Sequence, residues 1–393
     1  MASPHGPDYA GGDIPHKLNC QACHAGAADN SFETMDEAHL GMISDPSGSG
    51  EIGCNVSGCH DGETLDSFAS ACAGCHSSHQ DNWANSLHAN LQGEVKAVED
   101  RAAIDLDAAG YRDAFNNQCA ECHATCGQCH VSRPHSAGGG FVHLAEATVS
   151  RSHLFSSPTS VDAMKEQCTA CHGTRVATDY LGEGSDIPAE HSQDIHWVRR
   201  SFTCTACHDD GELHGDGTVV DHRYEVAAMP RCEECHGAGV DDGWDNAFHA
   251  KHVDGDAGDS KLQCQVCHAQ PYRNCTNCHD PGTGTEYGEF FSLKIARNDP
   301  AAFPYRQDKG YDYVVVRHVP ISQETYAHWG LVDLPDFTSK PTWLYASPHS
   351  IKLNTDQAAT CGGCHGSDYY LQDSDLTTPE EQAANANLVI PPR

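Results

Sequence analysis

Cys119-Ala120-Glu121-Cys122-His123-Ala124-Thr125-Cys126-Gly127-Gln128-Cys129-His130 decides how the rest of the chain is read. Two copies of one pattern stand almost back to back: a cysteine, two spacers, a second cysteine and then a histidine. Working outward, the same pattern recurs at Cys20, Cys23 and His24, at Cys72, Cys75 and His76, at Cys168, Cys171 and His172, and at Cys204, Cys207 and His208. Further on it returns at Cys232, Cys235 and His236, at Cys264, Cys267 and His268, at Cys275, Cys278 and His279, and at Cys361, Cys364 and His365. One further copy is stretched, with four residues between Cys54 and Cys59 before His60. These eleven motifs account for all 22 cysteines, so no thiol is left for another purpose.

A histidine directly after each cysteine pair is required neither by structural zinc, nor by disulfides, nor by thioredoxin-like pairs. It is required by covalent haem attachment, in which both thiols add to the porphyrin vinyls and the adjoining imidazole ligates iron. The motifs therefore predict eleven covalently attached haem c groups. The proximal ligands would be His24, His60, His76, His123, His130, His172, His208, His236, His268, His279 and His365. Two spacers match the vinyl separation on one helical turn, whereas the four between Cys54 and Cys59 require a bulged loop.

The sequence holds 28 histidines, which leaves more than enough to supply a second axial ligand to every iron, and only 5 methionines. Bis-histidine ligation is the expectation, with low-spin irons at lower potentials than methionine would give. Distal candidates lie a short way before a motif or within a longer inter-motif segment: His16, His39, His88, His143, His153, His196, His214, His222, His249, His252, His318 and His349. Which of them faces which iron is not readable from spacing.

Only 38% of the 393 residues are hydrophobic, too few for a generous side-chain core, and haem faces are expected to replace the missing aliphatic residues. The expected fold is mostly irregular with short α-helices and little β structure, built around the haem array. A longer helical stretch is expected around Val95 to Phe115, and a small β unit near 285–345, where Tyr311-Asp312-Tyr313-Val314-Val315-Val316-Arg317 reads as a strand. The motif spacing suggests three pieces: 1–150 as an N-terminal haem module, 151–285 as a central one, and 286–393 as a C-terminal segment with the last haem. Only 7 residues separate His123 from His130, and 11 separate His268 from His279, so those haems should touch.

A formal charge of −33 makes nucleic acid and anionic membrane surfaces poor partners. No run of 18 apolar residues is present, so no transmembrane segment is expected. Met1-Ala2-Ser3-Pro4-His5-Gly6 lacks the basic and apolar regions of a secretory signal. Because haem is stitched to protein outside the cytoplasm, the chain is expected to be periplasmic, cell-surface or secreted, its signal already removed. The acidic loop Asp254-Gly255-Asp256-Ala257-Gly258-Asp259 invites a calcium reading, but its register departs from the EF-hand, and a solvated loop is the better account.

Taken with the motifs, the whole chain resembles the multihaem c-type cytochromes of metal-reducing and related respiring microbes. Similar pieces are Ile195-His196 leading to Cys204-Thr205-Ala206-Cys207-His208, Leu213-His214-Gly215-Asp216-Gly217, Arg317-His318-Val319-Pro320, and Ser347-Pro348-His349 before Cys361-Gly362-Gly363-Cys364-His365. The resemblance implies electron transfer to redox partner proteins, other cytochromes or extracellular acceptors such as metal oxides. In some relatives it also implies self-polymerisation into haem-lined filaments. Neither the C-x-x-C-K motif of pentahaem nitrite reductases nor the widely spaced motif of some multihaem sulfite reductases is present, so an electron carrier without catalytic residues is expected. The alternative is an oxidoreductase in which one iron keeps an open position and reduces a nitrogen or sulfur oxyanion.

Overall fold

The computed structural model describes residues 78–79, 81–118, 129–130, 159–184, 187–237, 246–253, 261–274, 290–332, 334–366 and 368–391. These fall into two compact units, each assembled from separated stretches of chain. The described part of the first comprises 78–79, 81–91, 129–130, 159–173 and 203–220, and the second takes the remainder.

Short helices and tight turns make up the first unit. Ser86 caps the helix Leu87–Asn90 by accepting from the Ala89 amide at 3.3 Å. Ser160 likewise caps a helical run that passes from Val161–Ala163 through a π-helical segment, Met164–Cys168, into Thr169–His172. The hydroxyl of each serine satisfies an amide that the first turn leaves unpaired. The turn after Asp210–His214 packs tightly on the residues before Leu87. Gly215, at φ +79°, comes so close that a Cβ there would stand 3.1 Å from the Asn82 carbonyl oxygen and 3.3 Å from Ser86 Cβ. Only glycine tolerates both the left-handed backbone and the close approach.

In the second unit a side-chain core forms around a β-sheet. Strands β1 (Tyr272–Asn274) and β2 (Phe290–Ser292) make one antiparallel ribbon. Strands β3 (Lys294–Arg297), β4 (Tyr313–His318) and β5 (Trp343–Tyr345) make an antiparallel sheet with β4 in the middle. Val315 pairs with Ile295, and Val316 lies between Lys294 and Tyr345. Because side chains alternate across a strand, Val314 and Val316 enter one apolar layer and Val315 the other. The first layer holds Phe303, Tyr311, Trp343, Tyr345, Leu371 and Leu388, and the second Val266, Tyr272, Ile295 and Ile390. β4 is thus covered on both faces, which explains its unbroken apolar run.

The expected helix over Val95 to Phe115 is two helices, Gln92–Ala102 and Arg112–Gln118. Ala103 turns left-handed at φ 56°, and the Asp105 carboxylate takes the Ala108 amide at 2.8 Å. This aspartate offers the backbone a turn in place of a further helical bond. The first helix is anchored by buried Arg101, whose Nε donates to the Val319 carbonyl at 2.6 Å and whose Nη1 donates to that of Phe337 at 3.2 Å.

Candidate functional site

Four motifs described over their full length sit on one tight helical turn, Cys204–Ala206, Cys232–Cys235, Cys264–His268 and Cys361–Cys364, and the fifth spans the junction where Met164–Cys168 passes into Thr169–His172. Such a turn brings two cysteines three residues apart to the same side. The second cysteine of a motif is open to solvent at Cys171, Cys207 and Cys235, and half-buried at Cys267 and Cys364. The last turn is fixed by Thr360, whose hydroxyl accepts from the Gly363 amide at 3.0 Å. Sulfurs of different motifs also meet: Cys168 with Cys204 in the first unit, and Cys232 with Cys264 in the second. Among the described residues the cysteines form no disulfide, and none belongs to a cluster of three or more metal-binding side chains. That arrangement is unlike a four-cysteine zinc site.

The histidines are arranged differently. His172 faces His88 with ring centroids 6.3 Å apart, and His130 faces His214 at 6.0 Å, both pairs in the first unit. In the second unit His236 faces His196 at 5.9 Å, His268 faces His249 at 6.2 Å and His365 faces His252 at 6.3 Å. Every pair joins one motif histidine to one distal candidate. The ring planes meet at angles from 9° to 86°, so no single stacking geometry explains the common spacing. Two imidazoles bound in line to one metal, with bonds of about 2 Å plus the ring radius at each end, place their centroids roughly 6 Å apart. The residues therefore fit an iron held between each pair.

Electrostatics favour ligation at His88 and His268. Burial, reinforced by the neighbouring His172, pushes the His88 imidazole down to about 4, so near neutrality the ring is uncharged, the form that binds metal. Burial also lowers His268. His196 is raised, first by its hydrogen bond to Asp194. At His208 burial works downward, but the bond to Glu212 outweighs it.

Other candidates meet different partners. His222 stacks flat on Tyr305 at 3.6 Å, with Nδ1 accepting from the Tyr224 amide. His318 places Nε2 3.0 Å from Glu381 Oε1 and packs its ring beside Trp343. His349 is half-buried, and its backbone amide reaches Asp179. His16, His39, His143 and His153 lie outside the described residues. So do five whole motifs: Cys20, Cys23 and His24; Cys54, Cys59 and His60; Cys72, Cys75 and His76; Cys119, Cys122 and His123; and Cys275, Cys278 and His279. Cys126 and the acidic loop 254–259 fall there too. His79, not among the candidates, comes together with Asp210 and His214, the one group of three side chains among the described residues spaced so that they could hold a metal ion. Its only sequence signal is its place three residues after His76.

Residues 71–150 match the family model described as cytochrome c554 and c-prime, about a fifth of the chain. This segment is similar to that family. It contains the motifs at Cys72, Cys119 and Cys126 as well as His88, and the match supports a c-type cytochrome with covalently bound haem, an electron-transfer group. Searches of curated proteins and of solved structures returned no match. No helix among the described residues is long and apolar enough to cross a membrane.

Proposed function

We propose that this chain is an electron carrier of extracytoplasmic respiration, holding eleven c-type haems between pairs of histidines and close enough together to exchange electrons. The observation that carries the reading is the set of five imidazole pairs at 5.9 to 6.3 Å, each joining a motif histidine to a histidine outside the motifs. The residues that would hold the irons are His172 with His88, His130 with His214, His236 with His196, His268 with His249, and His365 with His252. Bound haem supplies one-electron cycling of iron. With one imidazole of each pair on either side, these five centres would have no coordination position for a substrate, which favours transfer over catalysis. Contact between Cys168 and Cys204, and between Cys232 and Cys264, supports close spacing of the groups those cysteines carry.

A chain of net charge −33 suits cationic redox partners and oxidised metals. Filament assembly through self-association extends the same reading, and imaging of native material tests it: fibres support it and discrete particles oppose it. Intact-mass spectrometry tests the haem count. Eleven haem adducts with no free thiol are expected, and bare thiols or bound zinc would overturn the reading.

A further inference from the structure

Several of these histidines turn their second ring nitrogen onto a carboxylate. His196 Nδ1 lies 2.8 Å from Asp194 Oδ1, His208 Nδ1 lies 2.8 Å from Glu212 Oε2, and His214 Nδ1 lies 2.8 Å from Asp210 Oδ1. His268 Nδ1 instead meets the carbonyl oxygen of Lys352 at 3.0 Å. A carboxylate behind a ligating imidazole pulls on the Nδ1 proton, so the ring donates more strongly through Nε2. Stronger donation favours ferric over ferrous iron and lowers the potential. A neutral carbonyl exerts much less of this pull.

The three carboxylates differ sharply in access to water, and that decides how much of their charge the imidazole feels. The Asp194 side chain is 2% exposed, Glu212 12% and Asp210 71%. Asp194 is also locked in place. Its Oδ1 accepts from the His196 amide at 2.7 Å as well as from the ring, and its Oδ2 accepts from the Ile351 amide at 2.8 Å. Asp210 is shared with His79, which sits 3.0 Å from its Oδ2, and is open to solvent screening.

Building on the axial pairing above, we propose that Asp194 is a positioning residue that sets the reduction potential of the centre between His196 and His236, that Asp210 does so least through His214, and that Glu212 acts with intermediate strength through His208, a motif histidine outside the five pairs. Asp194 also caps the helix Ile195–Arg200, a purely structural duty. Asparagine caps a helix about as well as aspartate. Asp194→Asn therefore keeps the cap through Oδ1 and removes the charge, while its amide nitrogen takes the place of the oxygen that accepts from Ile351, a loss that the melting temperature reports.

The test is a spectroelectrochemical titration of the holoprotein beside Asp194→Asn, Glu212→Gln and Asp210→Asn, with haem content and melting temperature measured on each. Asp194→Asn should raise the midpoint of one centre by about a tenfold change in its ferric-to-ferrous ratio, roughly 59 mV for one electron. Glu212→Gln should shift one centre by less, and Asp210→Asn by least. An Asp194→Asn protein with full haem content, an unchanged low-spin spectrum and an unmoved titration overturns the role of Asp194 and leaves the pairing standing, as do equal shifts in all three variants. His196→Ala separates the two levels: one new high-spin centre supports the pairing, whereas a wholly low-spin protein overturns the pairing and the role of Asp194 with it.

Discussion

For a histidine in this chain, what the ring faces decides its use. His88 is buried against His172, kept neutral, and well placed to share a metal with it. His318, also a distal candidate by sequence, spends its Nε2 on Glu381. Replacing His88 with alanine should leave Cys168 and Cys171 of its partner motif untouched, so haem content stays constant while one centre becomes high-spin, as electron paramagnetic resonance would show. At Glu381 burial pushes the carboxyl upward, but hydrogen bonds from His318, Thr342 and Thr377 win and hold it at about 2, against an ordinary value of 4.5. A depressed carboxyl stabilises the fold above its unfolded value and loses that contribution as the pH falls through the folded one. Denaturant melts of the native chain should therefore lose stability between about 4.5 and about 2, and Glu381→Gln should lack that component. The proposed proximal histidines can be named from sequence because the cysteines mark them. Their opposite numbers were legible only as a set, since pairing follows folding and not order: His249 faces the next motif along the chain, His196 passes over one motif to reach His236, and His252 reaches His365.

Among the elements, the three-stranded sheet does most to position a motif. The turn Cys264–His268 lies against it, with Val266 1% exposed in the same apolar layer as Val315. Gln263 clamps the junction, donating to the Ala346 carbonyl at 2.9 Å and accepting from the Val315 amide at 2.7 Å. Leu371 is fully buried in the opposite layer, so Leu371→Ala should cost about 2–5 kcal/mol in chemical denaturation while haem content stays unchanged. A Cβ on Gly363 would lie 2.7 Å from the Asp356 carbonyl oxygen, a backbone atom with little room to yield. Gly363→Ala should lower the melting temperature and loosen the last motif, whose haem occupancy mass spectrometry would report. Strand β4 could be read directly from its valines. Its partners could not, because Lys294–Arg297 and Trp343–Tyr345 are too short and mixed to show a period of two, and only pairing with β4 defines them.

Across the whole molecule, composition and charge set the terms. With 56 acidic residues against 23 basic ones, encounter with cationic partners should be steered electrostatically and screened by salt. Stopped-flow reduction of a cationic acceptor should slow several-fold between low and physiological ionic strength, while a neutral acceptor of similar potential should change little. The cysteine count predicts eleven haems before any fold is visible. The division into two units was not legible, because each collects stretches far apart in sequence, and nothing in local pattern announces such joins. Everything at this scale depends on paired histidines closing both faces of each iron, and quantitative electron paramagnetic resonance of the fully oxidised holoprotein tests that most directly. Low-spin ferric signals accounting for all eleven haems are the predicted result; a high-spin signal amounting to several equivalents would contradict it.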